Sequence, residues 1–342
     1  MTRWARLAAA IALGAVVTGA LSFGTLPARA APTAPVSPAL GNGSFAIGPT
    51  PKPGSTQMSY FNMIGFPGQK LSESVSVANF TKAPLKLRLY PADAYTIRNG
   101  GGFAVYGLRS TPHEVGAWVY HLPKLVTIPA DKQLNIPFSI DIPANATPGT
   151  HAGGIVAQAV VPQIMQVNGS VQVKVYRQVF TRIYTTISGR LIPNFEVDSL
   201  SAVHPQPPFP LITRRNGSIT YFLSNTGNAI IAPTVHLWVT GLFGTTMDRT
   251  FPATSQLLPG GIARYVVAWP GVSAIGPVHV HLAVQSSYGI TRTAEYSYVA
   301  LPIPFLIVVA VVIIAAIAAA RLLLVRRKRR RLAPAGNALE HV

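Results

Sequence analysis

The sequence predicts an all-β fold, two β-sandwiches followed by a single C-terminal transmembrane helix. Three observations predict it. Between residues 44 and 298, apolar side chains alternate with polar ones over many short runs, which is the period of a half-buried strand. Turn signals, not helical repeats, separate those runs. Near the C-terminus, the 22 residues Val299–Ala320 carry no charged side chain.

The chain opens with Arg3 and Arg6, an apolar stretch from Leu7 to about Leu21, and Ala28-Arg29-Ala30. This order matches a secretory signal peptide over 1–30, cleaved before Ala31. A Pro/Ala-rich stretch, 31–43, follows as a flexible lead-in. Strands are then expected where Val75 and Val77 alternate with serines, and where Leu87 and Leu89 alternate with Lys86 and Arg88. A further strand runs from Gln133 to Ile142, with Leu134, Ile136, Phe138 and Ile140 on one face. Pro137 on its other face cannot donate to a ladder, so that strand belongs at an edge or carries a bulge. Val171, Val173, Val175, Val179, Ile183 and Ile187 share one parity, as in a long strand that bends or passes between domains. After the break His204-Pro205-Gln206-Pro207-Pro208, alternation resumes at Ile219, Tyr221 and Leu223, at Val235, Leu237 and Val239, and at Val278, Val280, Leu282 and Val284. Short strands at this spacing without helices between them indicate sandwiches, one at 44–162 and a second at 165–298.

The helix is expected over 299–325, long enough to cross a bilayer core of about 30 Å. Arg321 can snorkel from its end. Arg326, Arg327, Lys328, Arg329, Arg330 and Arg331 open a basic tail, 326–342. The positive-inside rule places this tail in the cytoplasm and the 32–298 segment outside a bacterial cell membrane crossed once.

Charge and composition agree. The 342 residues hold 28 Lys and Arg against 10 Asp and Glu, yet only 11% are charged and 49% are hydrophobic. A disordered chain would reverse that balance. The absence of cysteine excludes disulfides, thiolate metal sites and cysteine nucleophiles. Part of the net charge of +18 lies in the leader and the tail, leaving 18 basic and 9 acidic residues in the exported segment. The basic run follows an apolar helix directly and has no interleaved aromatics, so it reads as a contact with anionic lipid and not with nucleic acid. The exported surface suits an acidic wall polymer.

The nine exported acids are scattered, and no nucleophile-elbow, zincin or P-loop pattern is present. This disfavours an enzyme, and no cofactor is expected. His279 and His281 share a strand face but lack an identifiable third metal ligand. Asn79, Asn145, Asn168 and Asn216 head N-glycosylation triplets. Tyr95, Phe103, Tyr106, Trp118 and Tyr120 cluster in the first half near Gly- and Pro-rich turns. Exposed rings among hydroxyl and amide neighbours can hold a glycan, and these five are the candidate glycan-binding residues. The turn Asn99-Gly100-Gly101-Gly102 is expected to be mobile and to expose Phe103 and Tyr106.

The first half also carries a series of ordered motifs. Ser44-Phe45-Ala46-Ile47-Gly48-Pro49 is followed by Tyr60-Phe61, Pro67-Gly68-Gln69 and Val75-Ser76-Val77-Ala78-Asn79. Ala92-Asp93-Ala94 then leads to Gly101-Gly102-Phe103-Ala104-Val105-Tyr106, and Ile142-Pro143 to Pro148-Gly149-Thr150-His151-Ala152-Gly153-Gly154-Ile155. In this order they resemble the DUF916 family, the peptidoglycan-binding domain of WxL-interacting proteins, over about 44–160. The resemblance implies two immunoglobulin-like domains, the first binding peptidoglycan and the second a protein such as a WxL-like or other secreted surface protein. A non-enzymatic, membrane-anchored surface protein is therefore expected. The alternative is a chaperone-like or structural assembly module that binds partner strands by edge addition without recognising a glycan.

Overall fold

The computed structural model describes residues 44–331 except 53, 55–57, 168–170, 205–214, 243, 254 and 273–274. The signal peptide, the lead-in, most of the Pro-rich break after His204 and the tail beyond Arg331 lie outside the described residues.

The first sandwich begins with β1 (Phe45–Pro49), β2 (Phe61–Gly65), β3 (Lys70–Asn79), β4 (Leu85–Thr96) and β5 (Phe103–Val105). A one-turn helix α1 (Val115–Trp118) leads into β6 (Val119–Tyr120), β7 (Leu125–Ile128), β8 (Gln133–Asp141) and β9 (Gly149–Ala159). A two-stranded hairpin, β10 (Gln163–Val167) with β11 (Val171–Val175), precedes β12 (Gln178–Ile187). One sheet has the order β1-β3-β8-β6. The other has β2-β12-β9-β4-β5, with β7 also paired to β4. Their facing side chains interleave in one core, where Val75, Val77, Ile136 and Ile140 meet Leu87, Leu89, Ile155 and Ile183. The expected alternation is thus realised, and truncating any one of these fully buried side chains would cost about 2–5 kcal/mol.

Pro137 sits where sequence logic places it. On one side β8 pairs with β3, Ser74 opposite Pro137. On the other, β6 covers only Ser139 and Ile140, so the proline's missing N–H faces no ladder.

The strand expected from 171 to 187 is broken at Tyr176 and Arg177. β11 folds back on β10, whereas β12 runs antiparallel to β9, from Gln178 opposite Gln158 to Ile187 opposite Gly149. Its other edge pairs in parallel with β2, Ile183 opposite Phe61. This pairing carries β12 into the first sandwich, beyond the expected end at 162. The helix α1 gave no periodic signal because one turn is too short to show one.

The second sandwich comprises β13 (Glu196–Val203), β14 (Arg215–Ser224), β15 (Thr234–Gly241), β16 (Gly244–Phe251), β17 (Ile262–Val272), β18 (Gly276–Gln285) and β19 (Thr291–Ala300). Its sheets are ordered β13-β14-β17 and β16-β15-β18-β19. Ile219, Tyr221, Leu223 and Trp269 pack against Val235, Leu237, Val280 and Leu282 in a second core.

β19 continues through Ala300, so the C-terminal helix α2 (Ile303–Arg331) starts four residues later than expected. Val299 and Ala300 complete the ladder with Pro277 and Gly276. Pro304 lies in the first turn of α2, where its absent N–H is tolerated. Of this helix, Ile303–Lys328 is long and apolar enough to cross a membrane.

Candidate cleft where the two sandwiches meet

The two sandwiches belong to one compact unit, joined through the end of β4 and the turns around Asn228 and Leu258. The expected mobile turn at 99–102 is instead docked. Gly100 N–H donates to Arg264 O at 2.8 Å, Arg264 N–H donates to Arg98 O at 2.6 Å, and Gly102 N–H reaches Gln256 O at 3.2 Å. The turn pairs with the free edge of β17, which lowers the cost of leaving that edge open. Gly100, Gly101 and Gly102 all have positive φ, and a Cβ on Gly101 would collide with the Tyr265 hydroxyl. The glycine run therefore serves close docking.

This docking buries Phe103, which is 8% exposed. Its ring lies 5.9 Å from Phe180 and 5.5 Å from Tyr184, in a cluster that includes Leu258 of the second sandwich. Burial pushes the Tyr184 hydroxyl above its ordinary pKa, and it donates to Gln256 Oε1 at 2.7 Å across the junction. Trp118 is also buried, its ring 4.9 Å from His151. Neither ring offers a face to solvent. Tyr95 and Tyr106 do remain exposed, with ring centroids 4.7 Å apart. Tyr120 is exposed on β6, in the opposite sheet. The five aromatic candidates thus fall into different places, and only Tyr95 and Tyr106 form an exposed pair.

A cleft of about 300 Å³ lies at the junction, at the small end of ligand pockets. Its first wall is the segment 147–152 with Ala94 and Glu114; its second is Gly227, Asn228, Leu258 and Pro259. Asp93, buried at the root of this wall, accepts three backbone N–H bonds. Oδ2 takes those of His113 at 2.5 Å and Glu114 at 3.0 Å, and Oδ1 takes that of Gly116 at 2.8 Å. This fixes α1 against β4 and sets Glu114 at the cleft. Gly116 and Gly153 permit the approach: a Cβ on Gly116 would lie 2.7 Å from Ala92 C, and one on Gly153 2.9 Å from Ala92 O.

Glu114 Oε2 is 2.6 Å from His151 Nδ1, and His151 Nε2 is 2.9 Å from Thr147 O. His151 thus bridges the Glu114 carboxylate and the Thr147 carbonyl through its two ring nitrogens. The Glu114 side chain is 55% exposed against 14% for His151. The cleft thus presents a carboxylate held in place by a shielded imidazole, beside apolar Leu258, Pro259 and Ala152. In the sequence Glu114 is one of nine scattered acids and Asn228 reads only as part of the turn Thr226-Gly227-Asn228, whereas Asp93 and His151 lie within the ordered motifs of the first half.

Elsewhere, Asn79 is buried and its amide is fully engaged, donating to Ala83 O, Ile128 O and Pro129 O, which removes it as a glycan acceptor. On the outer face of the second sandwich, the rings of His236, Trp238 and His281 stack at 4.6 and 5.0 Å, with His279 6.2 Å beyond. Asp248 accepts from His236 at 2.9 Å and Glu295 from His279 at 3.1 Å. The His279 bond, with one from Ser297, holds the Glu295 carboxyl below its ordinary pKa. Among the described residues, no three His, Asp or Glu side chains are placed to hold a metal ion.

These features define an all-β, immunoglobulin-like protein of two sandwiches with a C-terminal helix able to span a bilayer. Residues 50–159, the larger part of the first sandwich, match the family described as the WxL interacting protein, peptidoglycan binding domain. It is a family of peptidoglycan-binding surface domains, not of enzymes. No curated protein matches the chain by sequence. Among solved structures, the chain is similar to the class 5 fimbriae chaperone CfaA, at 11% identity over 76% of this chain and 100% of that one, TM-score 0.34. It is also similar to the CupB2 chaperone of Pseudomonas aeruginosa, at 9% identity over 68% and 95%, TM-score 0.30. A third is the CsuC–CsuE chaperone–tip adhesion subunit complex of Acinetobacter baumannii, at 10% identity over 74% and 97%, TM-score 0.35.

Proposed function

We propose that this protein is a non-enzymatic bacterial surface protein that binds peptidoglycan through its first sandwich while α2 anchors it in the cell membrane. The observation that carries this reading is the match of residues 50–159 to the peptidoglycan-binding domain family. Residues 148–152 of the matched segment line one wall of the junction cleft, and this cleft is the binding site. Glu114 accepts hydrogen bonds from a ligand, while Leu258, Pro259 and Ala152 cover its apolar part. A cleft of this size holds a single sugar ring or a short peptide segment, so the wall polymer is gripped locally.

The basic residues 321 and 326–331 orient the helix with its C-terminal end in the cytoplasm. Both sandwiches then stand outside, and the excess of basic residues on the exported segment favours approach to acidic wall polymers. The second sandwich, with its ring ladder exposed, is left for a protein partner such as a secreted WxL-domain protein.

Cosedimentation of the detergent-solubilised full chain with purified insoluble cell wall tests this reading. A basic β-sandwich protein of matched charge serves as control. The protein is expected in the pellet at 0.5 M salt, where the Debye length is only several ångströms, with the control in the supernatant. Release of both alike would reduce the interaction to charge.

A further inference from the structure

We infer that the peptidoglycan site is composite: the second sandwich builds half of the cleft and fixes the other half, so that the family-matched domain is not by itself a complete site. This inference rests on the peptidoglycan reading above and adds a determinant that lies beyond residue 159.

Asn228 is the central contact. Its backbone carbonyl accepts Thr150 N–H at 2.8 Å. Its side-chain amide donates to Pro148 O at 2.9 Å and Arg190 O at 3.0 Å, and its Oδ1 accepts Ile192 N–H at 2.6 Å. With both amide N–H groups donated and Oδ1 accepting Ile192 N–H, this side chain is turned to the protein and clamps the 148–150 backbone. It is a positioning residue. Gly149 reports the same fit from the other side. Its φ is +134°, and a Cβ there would lie 2.6 Å from Asn228 O, so the second sandwich imposes glycine on the wall motif.

The second turn is fixed as firmly. Leu258 N–H donates to Thr96 Oγ1 at 3.0 Å across the junction, and the Leu258 side chain packs with Phe103 and Tyr184. Within the second sandwich, buried Asn225 ties both cleft turns together, donating to Ala229 O at 2.8 Å and Leu257 O at 2.9 Å. Opposite this rigid wall, Glu114 Oε1 has no hydrogen-bond partner among the described residues, while Oε2 is held by His151. The free acceptor calls for a donor on the ligand: a sugar hydroxyl or the amine of a stem peptide.

The test is calorimetric titration of the full chain in detergent with three soluble probes: a disaccharide–peptide muropeptide with a free amine, its N-acetylated form, and the disaccharide alone. Asn228→Ala should weaken binding of the tightest probe at least tenfold, and Thr96→Val should weaken it by a smaller factor. The second-sandwich tryptophan circular dichroism should stay unchanged in both. Loss on acetylation assigns the donor to the peptide amine, and retention by the disaccharide assigns it to sugar hydroxyls. Wild-type affinity in both variants would overturn the composite site while leaving the peptidoglycan reading intact. No binding of wild type to any probe or to wall would overturn that reading itself.

Discussion

Asn79 and Asn225 occupy the same position in the two sandwiches and make the same set of bonds. Asn79 is the last residue of β3 and Asn225 directly follows β14, and each is 1% exposed. Each accepts, through Oδ1, the backbone N–H two residues on, from Thr81 or Gly227. Each donates through Nδ2 to the carbonyl four residues on, from Ala83 or Ala229, and to a carbonyl across the sandwich, from Ile128 or Leu257. An asparagine is suited to this role because its amide carries two donors and an acceptor in one plane.

Replacing either asparagine with alanine therefore leaves buried carbonyls unpaired. Each substitution is expected to cost on the order of 3 kcal/mol, lowering the Tm by roughly 6–12 °C. Calorimetry on the two variants checks this. Asn225→Ala should also weaken muropeptide binding, because it releases both turns that reach the cleft, whereas Asn79→Ala should not.

Asp93→Asn tests the root of the cleft wall. The carboxylate accepts three N–H groups, and an amide would turn a donor towards at least one of them. A loss of about 2–3 kcal/mol is expected, read as a shift in the urea midpoint. A midpoint equal to wild type would show that α1 is held by packing alone.

Glu295 gives a pH dependence with a definite sign. Its folded carboxyl lies below the ordinary value through the bonds from His279 and Ser297. Its contribution to stability is complete above the unfolded pKa, about 4.3, and is lost as pH falls through the depressed folded value. Glu295→Gln should lower the neutral part of the melting-temperature profile slightly and flatten the acid limb, so that variant and wild type converge below that pH. An unaltered acid limb would place the acid sensitivity in other carboxylates.

Much of the architecture was legible in the sequence because a half-buried sheet writes its period directly. Val75, Val77, Leu87, Leu89, Leu237 and Val280 are all buried as their alternation predicts, and Pro137 correctly marked an open ladder. Parity could not reveal the break at Tyr176 and Arg177, because β11 and β12 keep the same phase on either side of it. The site was less legible because its elements are distant in sequence. Thr150 meets Asn228 and Thr96 meets Leu258 only once both sandwiches have folded. The glycines at 100–102, which suggest a mobile turn, are needed for docking against β17. That docking buries Phe103, one of the rings expected to face a sugar.

Whether the junction cleft holds peptidoglycan is tested by wall cosedimentation of Glu114→Ala beside wild type, with melting temperatures taken on the same samples. Glu114 is more than half exposed, so its removal should change the Tm by only a few degrees. The variant is expected to move from the pellet to the supernatant at 0.5 M salt while remaining folded. A folded Glu114→Ala protein that pellets as fully as wild type would contradict it.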